Sequence, residues 1–201
     1  MTKRFRVHHP HRPHTLHEAL ARGFGLLMFD LRSNGDSDGH ASSAGHYEQL
    51  DLLGALDYLS SQGVERSRTG VLGFSLGGAV ALMACANPGA AGAVVADSAF
   101  ADLWLAIRAS LTGMKRPLEL MTPGMSLMSR LIYGINIGDI SPARSIAASD
   151  TPVLLIHGEE DQVVSPRHAR ILARAAGAEF RELEESRAEA LWIVPGAGHV
   201  Q

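Results

Sequence analysis

The sequence contains only one cysteine, Cys85, and no surplus of basic residues. A single cysteine excludes an internal disulfide and a metal site built from cysteines. The 18 lysines and arginines are outnumbered by 21 aspartates and glutamates, so the formal net charge of -3 gives nucleic-acid binding little support. The basic N-terminus lacks the apolar core region of a secretory signal, which makes the cytoplasm the expected location.

The rest of the composition is typical of a globular protein. Hydrophobic residues make up 46% and charged residues 19% of the 201 residues, which fits a single domain spanning residues 1–201. Residues 69–96 carry no charged side chain and are long enough to span a membrane, but several glycines and the sequence NPG at 87–89 break this stretch. We therefore predict a strand, a helix and a second strand there, and no membrane span.

Five short apolar runs predict a sheet of buried strands. They occupy residues 25–29, 71–74, 93–96, 152–157 and 191–194, and each is continuous rather than alternating, which is typical of parallel strands covered by helices. Helix-like segments lie at residues 14–22, 46–61, 76–86 and 167–176. In the second of these, an apolar face is expected along Leu50, Leu53, Leu56 and Leu59. The alternation predicts an α/β fold with a mostly parallel, doubly wound sheet.

Residues 101–150 form a segment that is too long for one crossover between strands, and it is rich in methionine and leucine. Two interpretations are equally compatible with this composition. The segment could be a flexible apolar lid over a substrate pocket. It could also be a pair of ordinary crossover helices on the sheet edge, because methionine fills cores as readily as binding surfaces.

The strongest chemical signal is the sequence GFSLGG at residues 73–78, which lies between an apolar run and a helix-like segment. It matches the G-x-S-x-G pattern of a nucleophilic serine on a sharp strand-to-helix turn, where small neighbours on both sides avoid clashes. The turn would place Ser75 at a helix N-terminus, where backbone N–H groups can stabilise an oxyanion. The pattern also occurs in ordinary glycine-rich turns, but the strand–turn–helix context favours a functional serine.

A catalytic serine needs a histidine as base and a carboxylate that orients the histidine. In this fold class the acid and then the histidine follow the serine along the chain. His199 lies in a glycine-rich turn after the last apolar run and is the candidate base. We interpret His157, at the end of an apolar run, as structural, and His168 as a surface residue of a helix.

Several carboxylates could be the acid. Glu159, Glu160 and Asp161 follow the run at residues 152–157, so spacing alone does not choose between them. We favour Asp161 and interpret the two glutamates as solvated loop charges. Asp97, which follows the run at residues 93–96 at the same edge of the sheet, is the second candidate.

Four motifs, in this order, make the chain resemble the α/β-hydrolase superfamily, in particular its small Bem46-like or serine-aminopeptidase-like members. They are FDLRSNGDS at residues 29–37, GFSLGG at 73–78, LIHGEEDQVV at 155–164 and GAGH at 196–199. The resemblance implies a catalytic triad of Ser75, Asp161 and His199. It also implies that the backbone N–H of Leu76 is one donor of the oxyanion hole.

The sequence also departs from the pattern of this superfamily. Ser33 stands where the D-x-R-G-x-G-x-S loop has its first glycine, although Gly35 and Ser37 are kept. Few residues precede the run at 25–29, so we expect the first strands to be missing, together with the His-Gly motif that supplies the second oxyanion donor. Because the chain ends two residues after His199, the final helix is also expected to be absent.

Five histidines lie near the N-terminus, at positions 8, 9, 11, 14 and 17. Three-residue steps on a helix could align imidazoles as ligands for Zn, Ni or Cu. Pro10 and Pro13 oppose a regular helix over most of this stretch, so we interpret it as a loop, or as non-native sequence from a misread gene start, and predict no metal site.

Together these features predict a serine hydrolase that cleaves a carboxylic ester, in preference to an amide or thioester, without a metal or organic cofactor. Its substrate would be a small molecule with an apolar group. The alternative is a catalytically impaired, truncated protein that acts as a binding or interaction module, because losing an oxyanion donor costs about 10²–10³ in rate. An exposed sheet edge would favour a homodimer. A dinucleotide-binding domain is disfavoured, since no G-x-G-x-x-G follows the first run.

Overall fold

The computed structural model describes residues 13–110, 118–177 and 190–200. The chain divides into two compact units, residues 1–42 and 43–201. Among the described residues of the first unit, 13–21 form helix α1 (Pro13–Ala21) and 22–42 form turns and loops. The assignment of residues 1–201 to a single domain stays a prediction.

The predicted strand at residues 25–29 is wrong, because these residues lie outside any helix or strand. Leu26 is 37% exposed and Phe29 is 38% exposed, whereas a central parallel strand would bury both faces. A short apolar run does not by itself determine secondary structure, since a strand also needs a neighbouring strand to complete its hydrogen bonds.

The second unit contains the sheet and the remaining helices. Its helices are α2 (Glu48–Ser61), α3 (Leu76–Ala84), α4 (Leu103–Ser110), α5 (Leu118–Tyr133), α6 (Pro142–Ala147) and α7 (Arg167–Ala175). Two 3₁₀ turns lie at Arg66–Arg68 and Ile137–Asp139. Its strands are β1 (Gly70–Phe74), β2 (Ala93–Asp97), β3 (Val153–Gly158) and β4 (Ala190–Val194).

The four strands form one parallel sheet in the order β1-β2-β3-β4. Helix α3 packs against β1 and β2, and α7 packs against β3 and β4. The prediction of an α/β fold with a parallel sheet is therefore confirmed, as are four of the five predicted strands. Parallel strands require a long crossover between neighbours, and the alternation of apolar runs with helical segments supplies it.

The buried face of α2 matches the predicted one only in part, since it includes the expected Leu56 but not Leu50. Leu52 and Leu56 are buried, whereas Leu50 is 58% exposed. The buried leucines are four residues apart, and they continue a face that begins with the fully buried Glu48. Glu48 accepts hydrogen bonds from the backbone N–H groups of Ser43, at 2.7 Å, and Gly45, at 2.9 Å, which satisfies the buried carboxylate.

Residues 101–150 contain both core and exposed helical parts. Ile135 and Ile140 join α3 and the loop after β3 in one buried cluster, whose members are Ala79, Met83, Phe100, Ile135, Ile140 and Val164. On α5, by contrast, Leu127 is 58% exposed and Leu131 is 72% exposed. The part after α5 therefore packs like a crossover, while α5 presents an apolar face. Within the described ranges, no helix is long and apolar enough to cross a membrane.

Candidate active site

The carboxyl ends of the four strands lie at the same edge of the sheet, since the register pairs Phe74 with Asp97 and Gly158 with Val194. The residues that follow the strands are therefore brought together. Ser75 follows β1, Ser98 follows β2, Asp161 lies in the loop after β3, and His199 lies in the loop after β4. This edge contains all three residues of the predicted triad.

Ser75 occupies a strained turn between β1 and α3, with φ 51° and ψ -117°. A Cβ atom on Gly73 would overlap the backbone carbonyl of Gly77, so the turn requires glycine two residues before the serine. A Cβ on Gly77 would have no atom within 4 Å, so the expected steric need for glycine two residues after the serine is wrong. Gly78 is the tight position instead, because its Cβ would lie 3.1 Å from Cβ of Ala99.

The helix N-terminus at this turn carries the predicted oxyanion donor. Leu76 is the first residue of α3, and the first N–H groups of a helix have no acceptor inside the helix. The N–H of Ser75 itself donates to the carbonyl oxygen of Asp97 at 2.8 Å, which ties the turn to the end of β2. The assignment of the Leu76 N–H to an oxyanion hole stays a prediction.

His199 lies between the serine and the carboxylate. Its Nε2 is 3.0 Å from Oγ of Ser75, and its Nδ1 is 2.7 Å from Oδ2 of Asp161. The His199 side chain is 20% exposed, so it can be reached from solvent while its Asp161 partner is fully buried. The structure thus places the three predicted residues in one continuous chain of contacts.

Four N–H groups surround the carboxylate of Asp161. Oδ1 accepts from the backbone N–H groups of Val163, at 2.9 Å, and Val164, at 2.8 Å. Oδ2 faces His199 and also Nε2 of His157, at 3.2 Å. A buried carboxylate is tolerated when donors compensate for lost hydration, and here both of its oxygens have them.

His157 contacts the predicted acid, which sequence reasoning did not anticipate. Its Nε2 lies 2.7 Å from the carbonyl oxygen of Val164. Because a carbonyl only accepts hydrogen bonds, Nε2 carries the proton and donates it. A histidine four residues before a candidate acid, at the buried end of a strand, is the pattern that could have indicated this contact.

His168 is buried, so the prediction of a surface position is wrong. It is 2% exposed, and its Nδ1 accepts a hydrogen bond from the N–H of Ala101 at 3.0 Å. Burial lowers the pKa of the His168 imidazole, and the charge of His157 acts in the same direction. The apolar side of α7 determines this burial, since Leu172 on the same helix is 1% exposed.

The other candidate acids lie elsewhere. Glu159 and Glu160 are exposed, as predicted, and Glu159 accepts a bond from the N–H of Gly196 at 3.4 Å. Asp97 is buried, and its Oδ1 accepts a bond from Oγ of Ser98 at 3.0 Å. Asp161 rather than Asp97 therefore faces Nδ1 of His199.

Comparison with known proteins identifies the family of the chain. The sequence profile described as "Alpha/beta hydrolase family" matches residues 6–200. The chain belongs to this family. The narrower resemblance to Bem46-like or serine-aminopeptidase-like members stays a prediction.

The curated relatives of this alpha/beta hydrolase include one bacterial and one plant protein. It is 30% identical over 153 residues to the uncharacterized protein YqkD of Bacillus subtilis (strain 168), which covers 74% of this chain and 50% of YqkD. It is 31% identical over 157 residues to the alpha/beta hydrolase domain-containing protein WAV2 of Arabidopsis thaliana, over 76% of this chain and 49% of WAV2. The chain spans about half the length of these curated relatives.

Solved structures share the fold of this alpha/beta hydrolase. The Pyrococcus furiosus esterase Pf2001 superposes with a TM-score of 0.65 at 23% identity, over 92% of this chain and 66% of the esterase. A puromycin-hydrolyzing peptidase of Mycobacterium tuberculosis superposes with a TM-score of 0.53 at 25% identity, over 72% of this chain and 20% of the peptidase. An esterase and a peptidase thus both resemble it, so structural likeness does not choose the bond that is cleaved.

In the loop at residues 29–37, Ser33 stands where the expected D-x-R-G-x-G-x-S pattern has a glycine. Ser33 has φ 61°, a left-handed conformation that glycine adopts without strain. The loop is nevertheless closed, because Oγ of Ser37 donates to the carbonyl oxygen of Asp30 at 2.7 Å. Serine at this position therefore strains the loop without opening it.

The N-terminal histidines at positions 8, 9 and 11 lie outside the described residues. Across the ranges that are described, no group of three or more histidine, cysteine, aspartate or glutamate side chains is arranged to hold a metal ion.

Proposed function

We propose that the protein is a serine hydrolase that cleaves a carboxylic ester through an acyl-enzyme. The observation that carries this proposal is the continuous contact from Ser75 through His199 to Asp161, with distances of 3.0 Å and 2.7 Å. Membership of the alpha/beta hydrolase family supports the same reaction class. Hydrolysis of an amide or thioester would use the same three residues.

The two nitrogens of His199 have different roles in this mechanism. The carboxylate of Asp161 accepts a hydrogen bond from Nδ1, so the neutral ring carries its proton on Nδ1 and leaves the Nε2 lone pair toward Ser75. As Oγ of Ser75 attacks the substrate carbonyl carbon, its proton passes to Nε2. His199 then gives this proton to the leaving alcohol, and Asp161 stabilises the charged ring between the two transfers.

Hydrolysis of the acyl-enzyme repeats these steps with water. His199 takes a proton from water, the resulting hydroxyl attacks the acyl carbonyl, and the proton returns to Oγ of Ser75 as the acid leaves. In both halves the negative oxygen would be stabilised by the N–H of Leu76 at the start of α3.

The apolar face of α5 supports a substrate with an apolar acyl or alcohol group. Leu127, Leu131 and Ile132 are 58%, 72% and 59% exposed, and exposed apolar patches often mark binding surfaces. On this proposal, α5 belongs to a lid within residues 101–150. The partner is a small molecule rather than a nucleic acid, while a homodimer and a cytoplasmic location stay predictions.

The proposal is tested by hydrolysis of a short-chain activated ester by wild type and a Ser75→Ala variant. A matched control is Ser149→Ala, because Ser149 lies before β3, at the opposite end of the strand from Asp161. Turnover by wild type and by the control, with loss in Ser75→Ala, is expected. A folded wild-type protein without turnover would contradict the proposal and favour the catalytically impaired binding module.

A further inference from the structure

The corner after β2 contains a buried serine that the proposed mechanism does not use. Ser98 has no exposed surface, and its φ of 56° is left-handed. This conformation is uncommon for residues other than glycine and is retained when the surroundings hold the backbone in place. Strained residues of this kind cluster at functional sites. The hydrogen bonds of Ser98 show which chain segments it connects.

The Ser98 hydroxyl bridges two chain segments. Its Oγ donates to Oδ1 of Asp97 at 3.0 Å and accepts a hydrogen bond from the backbone N–H of Val200 at 3.3 Å. A hydroxyl has one donor and two acceptor sites, so both bonds form together. The buried carboxylate of Asp97 orients the hydroxyl proton, which leaves the oxygen lone pairs to face Val200.

Val200 directly follows the candidate base His199. Its φ of 54° is unusual for a β-branched residue, because the branched Cβ crowds the backbone in the left-handed region. The loop after β4 must therefore be held in a conformation that it would not adopt readily by itself. The hydrogen bond to Ser98 fixes this loop one residue away from the imidazole.

The same corner also contacts the segments that carry the nucleophile and the acid. The N–H of Ser98 donates to the carbonyl oxygen of Ile156 in β3 at 2.9 Å, and the carbonyl oxygen of Asp97 accepts the N–H of Ser75 at 2.8 Å. The strand β3 leads into the loop that contains Asp161. Asp97 and Ser98 thus connect the three segments whose relative placement determines the distances within the triad.

We propose that Ser98 is a positioning residue that holds the His199 loop through Val200. This inference rests on the proposed function, since it assigns Ser98 to the alignment of the proposed base. Misalignment of His199 slows the proton transfers but leaves substrate contacts in place. The loss therefore falls on kcat rather than on KM.

Three variants separate this role from a merely structural one. Ser98→Ala removes the hydroxyl, and Ser98→Gly removes it while also relieving the strained backbone. Ser149→Ala is the matched control, because Oγ of Ser149 also bridges two backbone groups. It donates to the carbonyl oxygen of Cys85 at 3.3 Å and accepts from the N–H of Thr151 at 3.2 Å.

The kinetic test uses the activated ester with all four proteins. A hydrogen bond of typical strength corresponds to a fall of about 2- to 12-fold in kcat, expected for both Ser98 variants with KM unchanged. Ser149→Ala is expected to keep the kcat of wild type. Wild-type kcat in Ser98→Gly would overturn the proposal, because the protein would then keep its full rate without the Ser98 hydroxyl.

A second measurement does not depend on activity. Amide hydrogen exchange of Val200, followed by NMR in the same variants, reports the hydrogen bond to Ser98 directly. Faster exchange of the Val200 amide in Ser98→Ala, but not in Ser149→Ala, supports the proposal that Ser98 holds the His199 loop. Unchanged exchange overturns it. If wild type fails to hydrolyse the ester, the proposed function fails, whereas the anchoring of the His199 loop is still decided by the exchange rates.

Discussion

His157 lies 3.2 Å from the same carboxylate oxygen of Asp161 that contacts His199. The same Nε2 atom is closer to the carbonyl oxygen of Val164, at 2.7 Å, while the N–H of Val164 donates to the other carboxylate oxygen. Both the carbonyl oxygen and the N–H of Val164 are therefore hydrogen-bonded. His157 closes the loop that presents the candidate acid.

Replacing His157 by alanine is expected to destabilise the protein. The carbonyl of Val164 would lose its donor, and a buried polar group without a partner costs about 1–3 kcal/mol in free energy of unfolding. Urea denaturation followed by circular dichroism measures this change. His157→Gln is the matched variant, because its amide nitrogen can replace Nε2 as a donor. Equal losses in both variants would show that the lost volume, rather than the donor, is responsible.

The glycines around Ser75 give a second prediction. Gly73→Ala is expected to prevent the turn from forming, because the added Cβ would overlap the backbone carbonyl of Gly77. Gly77→Ala should be tolerated, since its Cβ meets no atom within 4 Å, and alanine is favoured over glycine in a helix by about 0.5–1 kcal/mol. Thermal unfolding of the two variants checks this difference. A Gly77→Ala protein as unstable as Gly73→Ala would contradict the placement of these residues.

The buried His168 predicts that stability depends on pH. Its pKa is lowered in the folded protein, chiefly by burial, so the unfolded chain binds a proton more readily near the ordinary histidine pKa of about 6.5. Stability from the neutral ring is therefore present above this pH and is lost as the pH falls below it. Protonation would also remove Nδ1 as the acceptor for Ala101.

A His168→Asn variant tests this dependence. Its side-chain oxygen can accept the hydrogen bond from Ala101 but does not titrate. The free energy of unfolding, measured in urea at pH 7 and at pH 5, should fall less between these pH values in the variant than in wild type. An identical fall in both proteins would assign the pH dependence to other groups.

Much of the fold follows from local sequence patterns. The runs that became β1 to β4 are short, continuous and apolar, which is typical of parallel strands packed against helices. The Ser75 turn is recognisable from its glycines and from its place between a strand and a helix. The order of serine, acid and histidine along the chain then leaves few candidate residues for the acid and the base. These features depend on neighbours along the chain, which is why the sequence alone could indicate them.

The errors concern features that depend on distant parts of the chain. Residues 25–29 have a strand-like composition but lie outside any strand, and His168 is polar but buried, because its Nδ1 meets the backbone of Ala101. The contact between Ser98 and Val200 could not be predicted for the same reason, since the two residues are 102 positions apart in the sequence. Periodicity and spacing carry no information about such contacts.

The most direct test of the central claim is the site of reaction with a fluorophosphonate probe. After brief exposure, mass spectrometry of the digested protein should find the probe on Ser75, and a His199→Gln variant should be labelled much more slowly, because Nε2 no longer accepts the serine proton. An Asp161→Asn variant should be labelled about 10⁴-fold more slowly, because the amide no longer holds His199 in the tautomer whose Nε2 accepts the serine proton. Labelling on another residue, or labelling of Ser75 that is independent of His199, would contradict the account.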